Sequence, residues 1–62
     1  MTGKKIKGIR VAMLMTQREF ADALGVHPIT LSDWEIGDRV PSLRNQRKIV
    51  ELCKKNNIDW RE

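Results

Sequence analysis

The chain has 62 residues, with twelve basic and eight acidic side chains, a net charge of +4 and one cysteine, Cys53. A chain of this length forms one domain, residues 1–62, and leaves no room for a deep substrate cleft with a catalytic constellation, so we expect no enzyme. A single cysteine excludes an internal disulfide, and no Cys/His cluster predicts a metal site. We therefore expect no cofactor, and a reducing, intracellular setting fits.

The charges are unevenly distributed along the chain. Residues 1–15 carry +4, residues 16–38 carry −4 and residues 39–48 carry +4. Two basic segments around an acidic centre favour a polyanionic partner. No apolar run reaches the roughly 18 residues that would indicate a membrane span. The basic start MTGKKIKGIR lacks the apolar region of a secretory signal.

The first predicted helix covers Lys5 to Leu14. Its apolar residues recur at helical spacing on one face, at Ile6, Ile9 and Met13. The second predicted helix opens at Thr16, because Thr16 and Glu19 have the spacing of a capping box. Gly25 ends it, since glycine readily adopts the left-handed conformation that follows many helices. Its apolar face comprises Phe20, Ala23 and Leu24.

The third predicted helix begins at Pro28, because proline is favoured at the first helical position. Leu31 and Trp34 lie on one side of it, and Gly37 ends it. His27 precedes the helix, either as its N-cap or as the neighbour of a bound phosphate.

Ser42 caps the fourth predicted helix, Leu43 to Asn56, whose apolar arc comprises Ile49, Leu52 and Cys53. Its other side carries Arg44, Arg47, Lys48, Glu51, Lys54 and Lys55. Beyond the first turn, this basic side either contacts phosphates or is merely solvated. In the tail, residues 57–62, Ile58 and Trp60 are expected to fold back on the core. A dimer or partner contact is the alternative for Trp60.

A glycine turn between two short helices fits an αα-hairpin or a helix-turn-helix. Residues in register with a helix-turn-helix pattern are Thr16, Gln17, Ala21, Gly25, Val26, Thr30, Leu31, Ser32, Trp34, Glu35, Gly37, Arg39, Pro41 and Ser42. With them, the chain from about residue 6 to residue 53 resembles DNA-binding domains of the phage Cro and repressor type, also called the xenobiotic-response-element (XRE) type. The resemblance implies an all-α, compact bundle of four to five helices, a lambda-repressor-like domain, with the helix-turn-helix at about residues 17–36.

This resemblance implies that the third helix, Pro28 to Glu35, docks in the major groove of double-stranded DNA. At 100° per residue, the outward face comprises Pro28, Ile29, Ser32 and Asp33, flanked by Thr30. The family residues that match Pro28, Ile29 and Asp33 contact base edges. We expect Ile29 to pack on a thymine methyl group and Asp33 to accept from a cytosine amino group. Pro28 has no N–H to donate.

Phosphate contacts are expected to supply most of the affinity. Gln17 matches a family glutamine that holds a phosphate at the start of the second helix. The other expected phosphate contacts are Thr30, Arg39, Ser42, Arg44, Arg47 and Lys48. We also expect Lys4, Lys5 and Lys7 to form an arm along the DNA backbone.

Arg10 and Glu35 match a family pair in which an arginine of the first helix bridges an acid that ends the third. Such a bridge is expected to fix the angle of the reading helix. Leu14 stands where the family has glycine or another helix stop. We therefore expect the first helix to run on through Leu14 or to pack differently.

Together these features predict a sequence-specific transcriptional regulator, a phage or prokaryotic repressor of the Cro type, in the bacterial cytoplasm or nucleoid. We expect a homodimer, in solution or only on DNA, because one domain makes few DNA contacts. The alternative is a protein-binding module with the same fold, an antirepressor or antitoxin component, in which Ile29 is a hydrophobic contact.

Overall fold

The computed structural model describes residues 1–61, so Glu62 of the expected tail lies outside the described part. It contains four helices: α1 (Gly3–Ala12), α2 (Gln17–Leu24), α3 (Pro28–Ile36) and α4 (Leu43–Lys55). The prediction of an all-α bundle is confirmed. None of the four helices is long and apolar enough to cross a membrane.

A side chain caps the N-terminus of each helix. The hydroxyls of Thr2, Thr16 and Ser42 accept from the amide three residues later, and His27 Nδ1 accepts from the Ile29 amide. Glu19 completes the predicted capping box, because its carboxylate accepts from the Thr16 amide at 2.8 Å. Each cap satisfies an amide that lacks a partner within its own helix. His27 thus takes the first of its two expected roles.

Each helix also ends in the same way, with one residue in the left-handed conformation. These residues are Leu14 (φ 58°), Gly25 (φ 72°), Gly37 (φ 83°) and Asn57 (φ 56°). In each case the residue after the left-handed one donates its amide to the carbonyl oxygen five residues before that amide. This is the hydrogen bond of the Schellman motif. Glycine and asparagine adopt this conformation readily, whereas a leucine does so at a cost of about 1–2 kcal/mol. The Leu14 side chain is 91% exposed, so burial does not offset that cost.

The first helix lies two residues earlier than predicted. It begins at Gly3 because Thr2 caps it, and it ends at Ala12 because Leu14 turns left-handed despite its side chain. The expectation that it runs on through Leu14 is therefore wrong. The expected basic arm is also wrong, because Lys4, Lys5 and Lys7 all lie within α1. The predicted ends of α3 and α4 differ by one residue, since α3 includes Ile36 and α4 stops at Lys55 with Asn56 as its cap, whereas α2 ends before Gly25 as predicted.

The core joins all four helices. Its buried residues are Ile6, Ile9, Phe20, Ala21, Leu24, Leu31, Trp34, Ile49 and Cys53. Leu52 of the predicted α4 arc is only half-buried, as are Met13, Met15, Val26, Ile58 and Trp60, which pack against the core. The tail thus folds back as expected, and Trp60 contacts its own domain.

The predicted apolar face of α2 contains one error, because Ala23 is exposed and Ala21 is buried. At 100° per residue, Ala21 and Leu24 lie on the same side of Phe20, whereas Ala23 lies on the other. The buried arc is therefore centred between Phe20 and Ala21.

The start of α1 packs directly on the end of α3. A Cβ atom on Gly3 would lie 2.6 Å from the Glu35 carbonyl oxygen and closer still to that of Trp34. Backbone atoms cannot swing aside as a flexible side chain can. Only glycine at position 3 therefore permits this contact between α1 and α3.

Two glycines of α1 provide a matched test of this contact. Gly3→Ala is expected to lower the free energy of unfolding by about 1–3 kcal/mol, because the added methyl group forces α1 away from α3. Gly8→Ala is expected to raise it by about 1 kcal/mol, because a Cβ there meets nothing within 4 Å and alanine favours helix. Urea denaturation measures both. Equal effects of the two substitutions would contradict the close contact at Gly3.

Candidate nucleic-acid interface

The Glu35 carboxylate is the point where α1, α2 and α3 meet. Arg10 Nε donates to Glu35 Oε2 at 2.7 Å, and Arg10 Nη2 donates to Oε1 at 3.1 Å. Gln17 Nε2, at the start of α2, donates to the same Oε1 at 3.1 Å. Arg10 Nη1 donates to the Met15 carbonyl oxygen at 3.0 Å and so also holds the turn before α2. We call Arg10, Gln17 and Glu35 the Glu35 junction.

This junction is largely shielded from water, since the Glu35 side chain is only 4% exposed. Burial alone would raise the pKa of the Glu35 carboxyl. The hydrogen bonds from Arg10 and Gln17, with the charges of Arg10 and Lys7, outweigh burial and hold that pKa below its usual value. The hydrogen bond to Glu35 likewise raises the pKa of Arg10. Glu35 is therefore a charged group that joins three helices at neutral pH.

The outward side of α3 contains the four residues that we expect to read bases. Ile29 is 65% exposed, whereas Pro28, Ser32 and Asp33 are half-buried. Leu31 and Trp34, on the other side of the helix, are buried in the core. The sequence of α3, PITLSDWEI, contains no lysine, arginine, asparagine or glutamine. The helix itself therefore offers methyl groups, a hydroxyl and a carboxylate.

One cation reaches this face from the following loop. Arg39 Nε lies 3.5 Å from Asp33 Oδ2. The Asp38 and Arg39 amides both donate to the Asp33 carbonyl oxygen, at 2.9 and 3.2 Å, so the loop is tied to α3 at this residue. The sequence predicts separate roles for Asp33 and Arg39, and the structure brings them together.

The other residues expected to bind phosphate lie on three different helices. Ser42, Arg44, Arg47 and Lys48 are exposed in the first turns of α4 or at its cap, and Thr30 is half-buried on α3. Gln17, at the start of α2, is half-buried, and its amide is bonded to Glu35. The sequence predicts no role for Gln17 in the junction, because its contact with Glu35 depends on how α2 and α3 cross.

Three exposed apolar residues occur along the chain from the C-terminal end of α3 to the start of α4. Ile36 is 73%, Val40 is 77% and Leu43 is 65% exposed. The sequence predicts no role for any of them, although the helical angle of Ile36 places it between Ser32 and Ile29 on the outward side. We call Ile36, Val40 and Leu43 the loop patch.

Within residues 1–61, no group of three or more His, Cys, Asp or Glu residues is placed to hold a metal ion. Cys53, which contributes to the core, has a thiol pKa raised by its burial. A raised thiol pKa disfavours the reactive thiolate form.

Two short helices around a glycine turn, the second with one side in the core and the other open, define a helix-turn-helix DNA-binding domain. Comparison with known families agrees, because residues 6–60 match the family described as helix-turn-helix. The chain belongs to this family, in its Cro and XRE type. It is a regulator that binds double-stranded DNA. The predicted resemblance is confirmed, and the match reaches beyond residue 53 into the tail. A search of curated proteins found no match.

The Glu35 junction predicts how stability depends on pH. Glu35→Gln is expected to lower the free energy of unfolding at pH 7 by about 2–3 kcal/mol, because it removes the charge from two hydrogen bonds of Arg10. The folded-state pKa of Glu35 lies below the unfolded value of about 4.3, so the unfolded chain binds the proton more readily. Wild-type stability should therefore fall toward that of Glu35→Gln as pH drops below about 4.

Thermal unfolding from pH 7 to pH 2 measures this convergence. Glu51→Gln is the control, because Glu51 forms only an exposed pair with Lys54 at 3.9 Å. A difference in the free energy of unfolding between wild type and Glu35→Gln that stays constant down to pH 2 would contradict the charged junction.

Proposed function

We propose that this protein is a sequence-specific repressor of the Cro type, of phage or prokaryotic origin, that places α3 in the major groove of its operator. The observation that carries the proposal is the exposed Ile29 beside Ser32 and Asp33, on a helix whose other side lies in the core. The Glu35 junction holds that helix at a fixed angle to α1 and α2. The proposed site of action is the bacterial cytoplasm or nucleoid.

In this proposal the flanks of α3 supply affinity and α3 supplies base reading. The α2 start at Gln17 and the α4 start at Ser42 present helix N-termini, where backbone amides and the helix dipole favour phosphate. Arg44, Arg47 and Lys48 add cations along α4. This division suits a reading helix that carries no cation itself.

We further propose that the loop patch is where two copies meet. Ile36, Val40 and Leu43 adjoin the reading face, so a two-fold axis there would set two α3 helices side by side along one duplex. The dimer either exists in solution or forms only on DNA.

The second candidate is an antirepressor or antitoxin component that uses the same face to bind a protein. The apolar and acidic character of that face favours it, since Ile29 and Ile36 are exposed and α3 has no cation. Titration with random-sequence DNA at 50 and 200 mM salt separates the two candidates. A repressor with about six phosphate contacts loses about a thousandfold in affinity between these concentrations. Absence of salt-sensitive binding would reject the repressor.

The phosphate contacts predict a uniform effect on all DNA sequences. Arg44→Ala is expected to weaken binding to every duplex by a similar factor and to lower the salt slope by about one. Lys55→Ala is the matched control, because it removes the same charge about 16 Å further along α4. Fluorescence anisotropy at several salt concentrations measures both. A loss confined to one DNA sequence, or an equal loss in Lys55→Ala, would contradict this assignment.

The loop patch predicts cooperative binding to paired half-sites. Val40→Ser is expected to leave binding to one half-site unchanged and to weaken binding to two half-sites, about one helical turn apart, by about tenfold or more. Val11→Ser is the control, because Val11 is also an exposed valine, 53% exposed, but belongs to α1 and not to the loop. Gel-shift titrations measure the ratio of the affinity for two half-sites to the affinity for one half-site. If this ratio is the same in Val40→Ser as in wild type, the loop patch is not the dimer surface.

A further inference from the structure

We infer that the ion pair of Asp33 and Arg39 acts as one composite reader of a single C·G base pair in the major groove. The inference rests on the proposed placement of α3 in that groove. It assigns Arg39 to a guanine edge rather than to a phosphate, and it gives Asp33 and Arg39 one shared base pair.

The major-groove edge of a C·G pair presents one hydrogen-bond donor next to two hydrogen-bond acceptors. Cytosine presents the N4 amino group, and guanine presents O6 and N7. The Asp33 carboxylate offers only acceptors, and the Arg39 guanidinium offers only donors. The Arg39 Nε atom lies 3.5 Å from Asp33 Oδ2, so an acceptor and donors stand side by side. The pair therefore has the reverse pattern of the C·G edge.

The geometry leaves the outer atoms of the pair available. The contact within the pair joins Arg39 Nε and Asp33 Oδ2 at 3.5 Å. In the inferred complex, Arg39 Nη1 and Nη2 bind guanine, and Asp33 Oδ1 binds cytosine. The Arg39 side chain is 71% exposed and that of Asp33 is 25% exposed, which suits an arginine that projects past its partner.

The pair contributes little to the fold. An ion pair with one partner so exposed stabilises a protein by about 0–1 kcal/mol. The loop is already held to α3 by the Asp38 and Arg39 amides, which both donate to the Asp33 carbonyl oxygen. These bonds fix the backbone of Arg39 beside Asp33 without any need for the side-chain contact.

The pairing also explains how an acid can lie on a DNA-reading face. An unpaired carboxylate would repel the phosphates and the purine N7 atoms. Arg39 neutralises that charge, and it supplies the guanine donors that α3 lacks. Without Arg39, the reading face has no side chain that forms the bidentate contact to guanine.

The test begins with selection of bound sites from random DNA by wild type, Asp33→Asn, Arg39→Gln and Arg39→Lys. Wild type is expected to prefer C·G at one position by about tenfold or more. All three variants should lose preference at that same position. Arg39→Lys is the key control, because it keeps the charge but loses the planar fork, so its affinity for random DNA and its salt slope should stay near wild type.

Base analogues in the selected site identify the atoms that are read. Replacing the guanine with 7-deazaguanine removes N7 from the major groove and should weaken wild type several-fold but leave Arg39→Lys unchanged. Replacing it with hypoxanthine removes only the minor-groove amino group and should leave wild type unchanged. Sensitivity to hypoxanthine but not to 7-deazaguanine would place Arg39 in the minor groove and overturn the inference.

Two further outcomes also overturn it. If Arg39→Gln weakens all sequences equally and Arg39→Lys restores wild-type behaviour, Arg39 is a phosphate contact. If Asp33→Asn and Arg39→Gln change preference at different positions, the two residues do not act as a unit. Salt-sensitive binding would persist in both cases, so the proposed function would stand. Loss of the proposed function would appear instead as no DNA binding by wild type.

Discussion

The Glu35 carboxylate receives hydrogen bonds from Arg10 on α1 and from Gln17 on α2. Removing a charge from water is costly, and the cost is recovered only when the geometry satisfies the charged atoms. The bidentate contact at 2.7 and 3.1 Å does so, and it requires one relative placement of α1 and α3. Gly3 reinforces that placement, since any side chain there would push the two helices apart. The angle at which α3 is presented therefore depends on this ionic contact together with one close backbone contact.

The basic side chains of this domain lie outside α3, the helix with the outward apolar and polar face. The basic residues Arg44, Arg47 and Lys48 lie on α4, while α3 itself carries apolar groups, hydroxyls and a carboxylate. Phosphate attraction is strong but does not depend on sequence, whereas contacts in the groove are weaker and selective. In the proposed complex, a reading helix without cations avoids being held at every duplex position by charge alone. Arg39 of the following loop lies 3.5 Å from Asp33 on that helix.

Local signals in the sequence predicted most of the helix boundaries. The capping box at Thr16 and Glu19, and the stops at Gly25 and Gly37, depend on neighbouring residues only, so they could be predicted. Leu14 gave the wrong end for α1, because the Schellman bonds and the packing of α1 on α3 outweigh the poor fit of leucine to a left-handed conformation. The expected lysine arm failed for a related reason, since Thr2 starts α1 before those lysines. Within the candidate site, the Asp33–Arg39 and Gln17–Glu35 contacts could not be predicted, because they depend on how separate elements cross.

The uniform way in which the helices end also has a kinetic consequence. Every cap and every terminal turn is closed by residues at most five apart, and the segments between consecutive helices span only residues 13–16, 25–27 and 37–42. Helical proteins whose contacts are mostly local fold within microseconds to milliseconds. A chain of this size is only marginally stable, so brief excursions to the unfolded ensemble are part of its ordinary behaviour. Rapid refolding keeps those excursions short, which limits the time during which a protease can act on the open chain.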